Sequence, residues 1–113
     1  DLYGKAQNLR RALRLAYDTA LEQYDAILMP TTDGPAPEHP AADAPLADRF
    51  AHSGAGGGNC GIFDLTGHPA ISVPCGNVDA LPVGATLVAR HWEEATLYRV
   101  AHALERDFDW RAP

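Results

Sequence analysis

Between Tyr3 and Tyr24 the apolar residues Tyr3, Ala6, Leu9, Leu13, Ala16, Tyr17, Ala20, Leu21 and Tyr24 recur mostly at steps of three and four, while Arg10, Arg11, Arg14, Asp18 and Glu22 fall between them. That spacing predicts one amphipathic helix over residues 3–24. Ala26-Ile27-Leu28-Met29 follows as a short apolar run, read as a buried strand stopped by Pro30. Residues 31–58 lose both periods: Pro35, Pro37, Pro40 and Pro45 alternate with Ala, Asp and Glu, and "SGAGGG" closes the segment. One turn of helix around residues 46–51 is the only structure the spacing allows there. A loop of this length inside a compact domain is either functional or disordered. Too little chain flanks it for two cores, so it reads as a loop within one domain.

Beyond it the pattern resumes. Residues 60–65 read as a short helix, and Ala70-Ile71-Ser72-Val73 as a strand fenced by Pro69 and Pro74. Proline donates no backbone hydrogen bond, so the fence predicts a strand of about four residues. A loop through Gly76, Asn77 and Asp79 leads to a further strand over residues 83–88. The last element, residues 93–108, places Leu97, Ala101, Leu104 and Phe108 on one stripe, with Glu93 and Glu94 in its first turn and Arg106 near its end. Those charges suit the helix dipole. The order helix, strand, loop, helix, strand, strand, helix is α/β. Three strands make a poor sheet alone and leave edges open to pairing with a second copy.

Composition narrows the classes. At 113 residues the chain is one domain at most, and 46% apolar with 21% charged residues is ordinary globular composition. A net charge of −6 gives no reason to expect nucleic acid or an anionic membrane, and no apolar run approaches a membrane span. Cys60 and Cys75 stand without a CxxC and read as reduced thiols of a cytoplasmic protein rather than as a disulfide. The helical pattern begins at Asp1 with no initiator Met and no entry signal before it. That is the look of a piece cut from a longer protein.

Candidate chemistry is sparse. "GGGNCG", residues 56–61, matches G-x-G-x-x-G, but a dinucleotide fingerprint needs a strand before it and the preceding "ADRFAHSGA" has no strand pattern. His39, His52, His68, His91 and His102 show no short ligand spacing with one another or with the cysteines, so no metal site is predicted. Ser53 lies in the loop. Ser72 is flanked by Ala70 and Pro74 where a nucleophile elbow would want glycines. The single lysine, Lys5, has no serine near it in sequence. The residues themselves supply no catalytic group.

Taken in order, "YGKAQNLRRALRLAYDTALEQYDAILMPTT", "NCGIFDLTGHPAISVPCG" and "LPVGATLVARHWEEATLYRVAHALE" resemble the C-terminal part of amidase signature enzymes. The resemblance spans nearly the whole chain except the Pro-rich loop; Ile62, Ala80 and Ala89 depart from residues common in the family. It implies an α/β fragment of a mixed sheet core flanked by helices. Residues 1–113 are then the C-terminal part of an amidase domain, and residues 31–58 a Pro/Gly-rich loop within it. The implied reaction is hydrolysis of a carboxylic amide by a Ser–Ser–Lys mechanism whose catalytic residues lie upstream, with no metal or organic cofactor. Asn59, Ile62 and Phe63, just before the fenced strand, are placed beside the substrate pocket. The implied partners are a small-molecule amide and the upstream part of the same protein. Two alternatives stay open. One is the A-type glutaminase component of a glutamyl-tRNA amidotransferase, disfavoured because Gly56, Gly57 and Gly58 stand where an acidic residue is usual. The other is a non-catalytic interaction module that keeps the scaffold.

Overall fold

A computed structural model describes residues 1–54, 58–107 and 109. Gly56, Gly57 and Phe108, which entered the sequence reading, lie outside the described residues. The elements in chain order are α1 (Leu2–Gln23), β1 (Ile27–Pro30), α2 (Leu46–Gly54), α3 (Gly61–Thr66), β2 (Ala70–Val78), β3 (Leu81–Val88) and α4 (Glu94–Asp107). No helix among the described residues is long and apolar enough to cross a membrane.

Helix α1 begins one residue earlier than its periodicity suggests, because Asp1 caps it: the Asp1 carboxylate accepts the Tyr3 N–H at 3.1 Å. Its apolar stripe is covered only toward the C-terminus. Leu21 is fully buried, whereas Leu2, Tyr3 and Leu9 stay exposed, Leu2 at 87%. The end of the helix is tied down by Arg90, whose guanidinium donates to the Leu21 carbonyl and reaches Asp25 at 3.3 Å and Glu93 at 3.4 Å.

The three strands run in the order β1-β3-β2, every neighbour antiparallel. Of the two prolines predicted to end strands, Pro30 does so and Pro74 does not. Pro30 is the last residue of β1 and pairs with Ala85; Pro74 lies in mid-β2 opposite Gly84. The reason is position. β1 and β2 are the edges of this sheet, where a missing N–H can face away from the ladder. Immediately after Pro74 the register shifts, Pro74 facing Gly84 and Gly76 facing Val83, so Cys75 is the extra residue of a bulge and Gly76 takes φ +133°. Thus β2 is nine residues long, not four. β1 is likewise not a buried strand: Leu28 shares the face of Leu87 yet is 60% exposed. The predicted loop after Gly76 is strand up to Val78, which pairs with Leu81 across a two-residue turn. Asp79 and Ala80 both carry positive φ, 50° and 63°, the backbone that a tight hairpin with the native twist requires.

Helix α2 occupies nine residues of the Pro-rich segment, more than the single turn expected. The main apolar core lies between the sheet and α4, where Val73, Leu87, Ala89, Leu97 and Ala101 are buried together. The whole is a slab, 49 × 48 × 16 Å, with one helix over one face of the sheet and the other face turned toward α3 and the start of the Pro-rich loop.

Candidate functional site

The second face of the sheet gathers polar groups. Thr31, one residue past β1, donates its N–H to the Gly84 carbonyl at 2.9 Å and so continues the β1–β3 ladder. Its hydroxyl lies 2.7 Å from the Ser72 hydroxyl and 2.9 Å from that of Thr86. One residue from each strand or its extension therefore joins a three-hydroxyl chain across the sheet. Gly84 leaves room for it: a Cβ there would stand 2.9 Å from both Ser72 Oγ and Thr31 Oγ1.

The segment before α3 is stitched to the same strand end. Asn59 Nδ2 donates to the Pro30 carbonyl at 2.8 Å, and Cys60 Sγ to the Thr31 carbonyl at 3.4 Å. Helix α3 then runs one and a half turns and stops at Gly67, whose φ of 77° suits a left-handed cap and whose N–H bonds the Phe63 carbonyl at 2.8 Å. Phe63 points inward, 6% exposed, and meets Tyr17 of α1 edge-on with ring centroids 5.5 Å apart. Around these residues open a concavity of about 330 Å³ lined by Cys60, Phe63, Asp64, Ile71, Ser72 and Thr86, and another of about 390 Å³ reached from Thr31, Ser72 and Gly84 under the first prolines of the loop.

Of the residues singled out in the sequence, Phe63 lines the first concavity, Asn59 is spent on the strand end beside it, and Ile62 is half-buried on α3. Ser72 faces hydroxyls: its hydrogen-bond partner is Thr31, neither an imidazole nor an amine. Such an arrangement can hold and orient a ligand; among the described residues no hydrogen bond from a carboxylate or imidazole to the Ser72 hydroxyl activates it as a nucleophile. Cys60 and Cys75 are free thiols.

A second polar group went unnoticed in the sequence. His68, in the link between α3 and β2, is fully buried; its Nδ1 lies 3.0 Å from Thr66 Oγ1 and its Nε2 3.1 Å from Asp18 Oδ1 of α1. Burial lowers its pKa from the ordinary imidazole value, outweighing the hydrogen bond to Asp18, which raises it; the adjacent His91 lowers it too. The His91 ring stacks on His68 at 4.3 Å. No local spacing announces this cluster, since Asp18 and His68 are fifty residues apart.

The sequence matches the family model described as Amidase over residues 1–98. The chain belongs to the amidase signature family. This amidase chain is 45% identical over 104 residues to an uncharacterized protein in the nthA 5′ region of Rhodococcus erythropolis, covering 92% of the chain and 52% of that protein. It is 39% identical over 112 residues to the A component of the glutamyl-tRNA(Gln) amidotransferase of Geobacillus stearothermophilus, covering 96% of the chain and 21% of that protein. Among solved structures, the crystal structure of the corresponding A component of the glutamyl-tRNA(Gln) amidotransferase from Thermotoga maritima superposes with a TM-score of 0.74 at 32% identity, covering 94% of the amidase chain and 22% of that protein. The chain thus spans about half the length of the first relative and about a fifth of the amidotransferase components. The α/β arrangement expected from the sequence is the arrangement of the solved relative.

Proposed function

We propose that this chain is the C-terminal part of an amidase domain that hydrolyses a carboxylic amide to an acid and ammonia or an amine in the cytoplasm. In this reading a serine outside the chain, deprotonated through a bridging serine by a lysine, attacks the amide carbonyl; backbone N–H groups hold the oxyanion, and water releases the acid. The chain contributes the wall of the acyl site, with Asn59 holding α3 in place, Phe63 anchoring it from beneath and Ile62 facing the substrate. Its partners are the small-molecule amide and the part of the same protein that covers the exposed stripe of α1. The observation that carries this reading is the pairing of a family match over residues 1–98 with a Ser72 whose bonded neighbour is only another hydroxyl.

A second reading, the glutaminase component of an amidotransferase, draws support from the relatives named above and from one contact. The Asp33 carboxylate sits where a Cβ on Gly58 would meet Oδ1 at 2.7 Å, so an acidic group stands in space beside Gly58, one of the glycines that replace the usual acid in sequence. Assays of the full-length protein on aliphatic amides, aryl amides and glutamine separate the two. Turnover of simple amides without glutamine preference is expected, and the isolated chain is expected to be inert toward all three. Glutamine turnover lost on Asp33→Asn would install the second reading. Turnover by the isolated chain that vanished on Ser72→Ala would overturn both.

A further inference from the structure

We propose that Asp18, His68 and His91 form a binding site for a divalent cation of the zinc class, fastening α1 to the sheet. The three side chains come from three separate parts of the fold (α1, the α3–β2 link and the β3–α4 link), and one donor atom from each lies within 4.8 Å of the others. Asp18 Oδ1 is 3.1 Å from His68 Nε2 and 3.9 Å from His91 Nε2. Ligands about 2.1 Å from a tetrahedral ion stand roughly 3.4 Å from one another, between those two separations.

The orphaned nitrogen argues for a ligand. Among the described residues, His91 Nε2 is buried and has no hydrogen-bond partner. The hydrogen bond between His68 and Asp18 leaves that nitrogen unserved, and a buried polar atom without a partner is costly. One cation placed among the three satisfies both imidazoles and the carboxylate together. Two histidines and a carboxylate are a set that zinc takes with a fourth position left for water.

The surroundings are those of a ligand set. With an ion in place of the Nε2 proton, Thr66 Oγ1, 3.0 Å from His68 Nδ1, can accept the Nδ1 N–H and leave the Nε2 lone pair for the metal. Burial favours the neutral imidazole, the form that binds metal. Arg14 approaches the other oxygen, Asp18 Oδ2, at 3.8 Å and leaves Oδ1 aimed at the histidines.

The test uses the full-length protein, stripped with chelator and titrated with Zn²⁺ and, separately, Co²⁺; neither readout depends on amide hydrolysis. One tight equivalent is expected, with the visible d–d bands of Co²⁺ in nitrogen and oxygen ligands, no sulfur-to-metal charge-transfer band, and a higher Tm with Zn²⁺. His91→Ala should weaken binding at least about tenfold. His102→Ala, on the exposed face of α4, should bind as the parent does. If His91→Ala does not fold, Asp18→Asn carries the same expectation. Absence of a tight equivalent overturns the site, as does undiminished affinity in the folded variant. A charge-transfer band would move the metal to Cys60 or Cys75 and overturn it equally. A His91 found protonated against Asp18, with no effect of metal on Tm, would give the place to a proton instead.

Discussion

Phe63→Ala is expected to lower the stability of the full-length protein by about 3–5 kcal/mol and to depress turnover of every amide alike. The ring is 6% exposed and makes an edge-on contact with Tyr17, so truncation removes its burial, opens a cavity and loosens α3 from α1. Ile62→Ala, at a half-buried position on the same helix, should leave the fold largely intact and shift the ratio of kcat/KM between large and small amides. Denaturant unfolding and kinetics on a graded series of amides make the comparison. An unchanged preference in Ile62→Ala would leave α3 a scaffold with no hand in substrate choice. A Phe63→Ala protein of near-parental stability would show that the slot under the ring collapses or refills.

Gly84→Val should be the most damaging small change in the sheet. Even a Cβ would press within 2.9 Å of Ser72 Oγ and Thr31 Oγ1, and 3.4 Å of Thr31 Cβ, on the side where the three hydroxyls bond. Overpacking of this kind costs about 1–3 kcal/mol, and displacing Thr31 adds the loss of its bonds to Ser72 and Thr86. Thermal unfolding of Gly84→Ala, Ser72→Ala and the double variant tests the cause. Because Ser72→Ala removes one of the clashing atoms, the double variant should be more stable than the sum of the single losses. Strict additivity would place the strain elsewhere.

The two long helices were legible because period alone carries them: α1 and α4 follow their stripes, and the ends of α4 follow its charges, whereas nine-residue α2 lay in a segment read as loop with a single turn. Pro74 misled for a definite reason. Whether it ends a strand depends on whether that strand lies at an edge, and edge position is decided by β3 inserting between β1 and β2, which no local window contains. The hairpin at Asp79-Ala80 was missed because neither residue is a glycine, the usual mark of positive φ. At the candidate site the family motif pointed to the segment from Asn59 to Phe63, which packs beside the polar face of the sheet. The hydroxyl chain of Thr31, Ser72 and Thr86 and the cluster of Asp18, His68 and His91 were not legible, since each joins residues that only the folded sheet brings together.

The central place of β3 also dictates a timetable for biosynthesis. β2 and β3 are joined by two residues and can pair within microseconds of being released together. β1 must wait: Thr31 and Thr86 are fifty-five residues apart, a stretch that takes the ribosome roughly 3–11 s to add. Throughout that interval Ile27, Leu28 and Met29 lack the ladder that β3 later gives them. The edge of β1 that β3 will occupy is therefore open from the emergence of one strand to the emergence of the other, and it closes last of the ladders in this sheet.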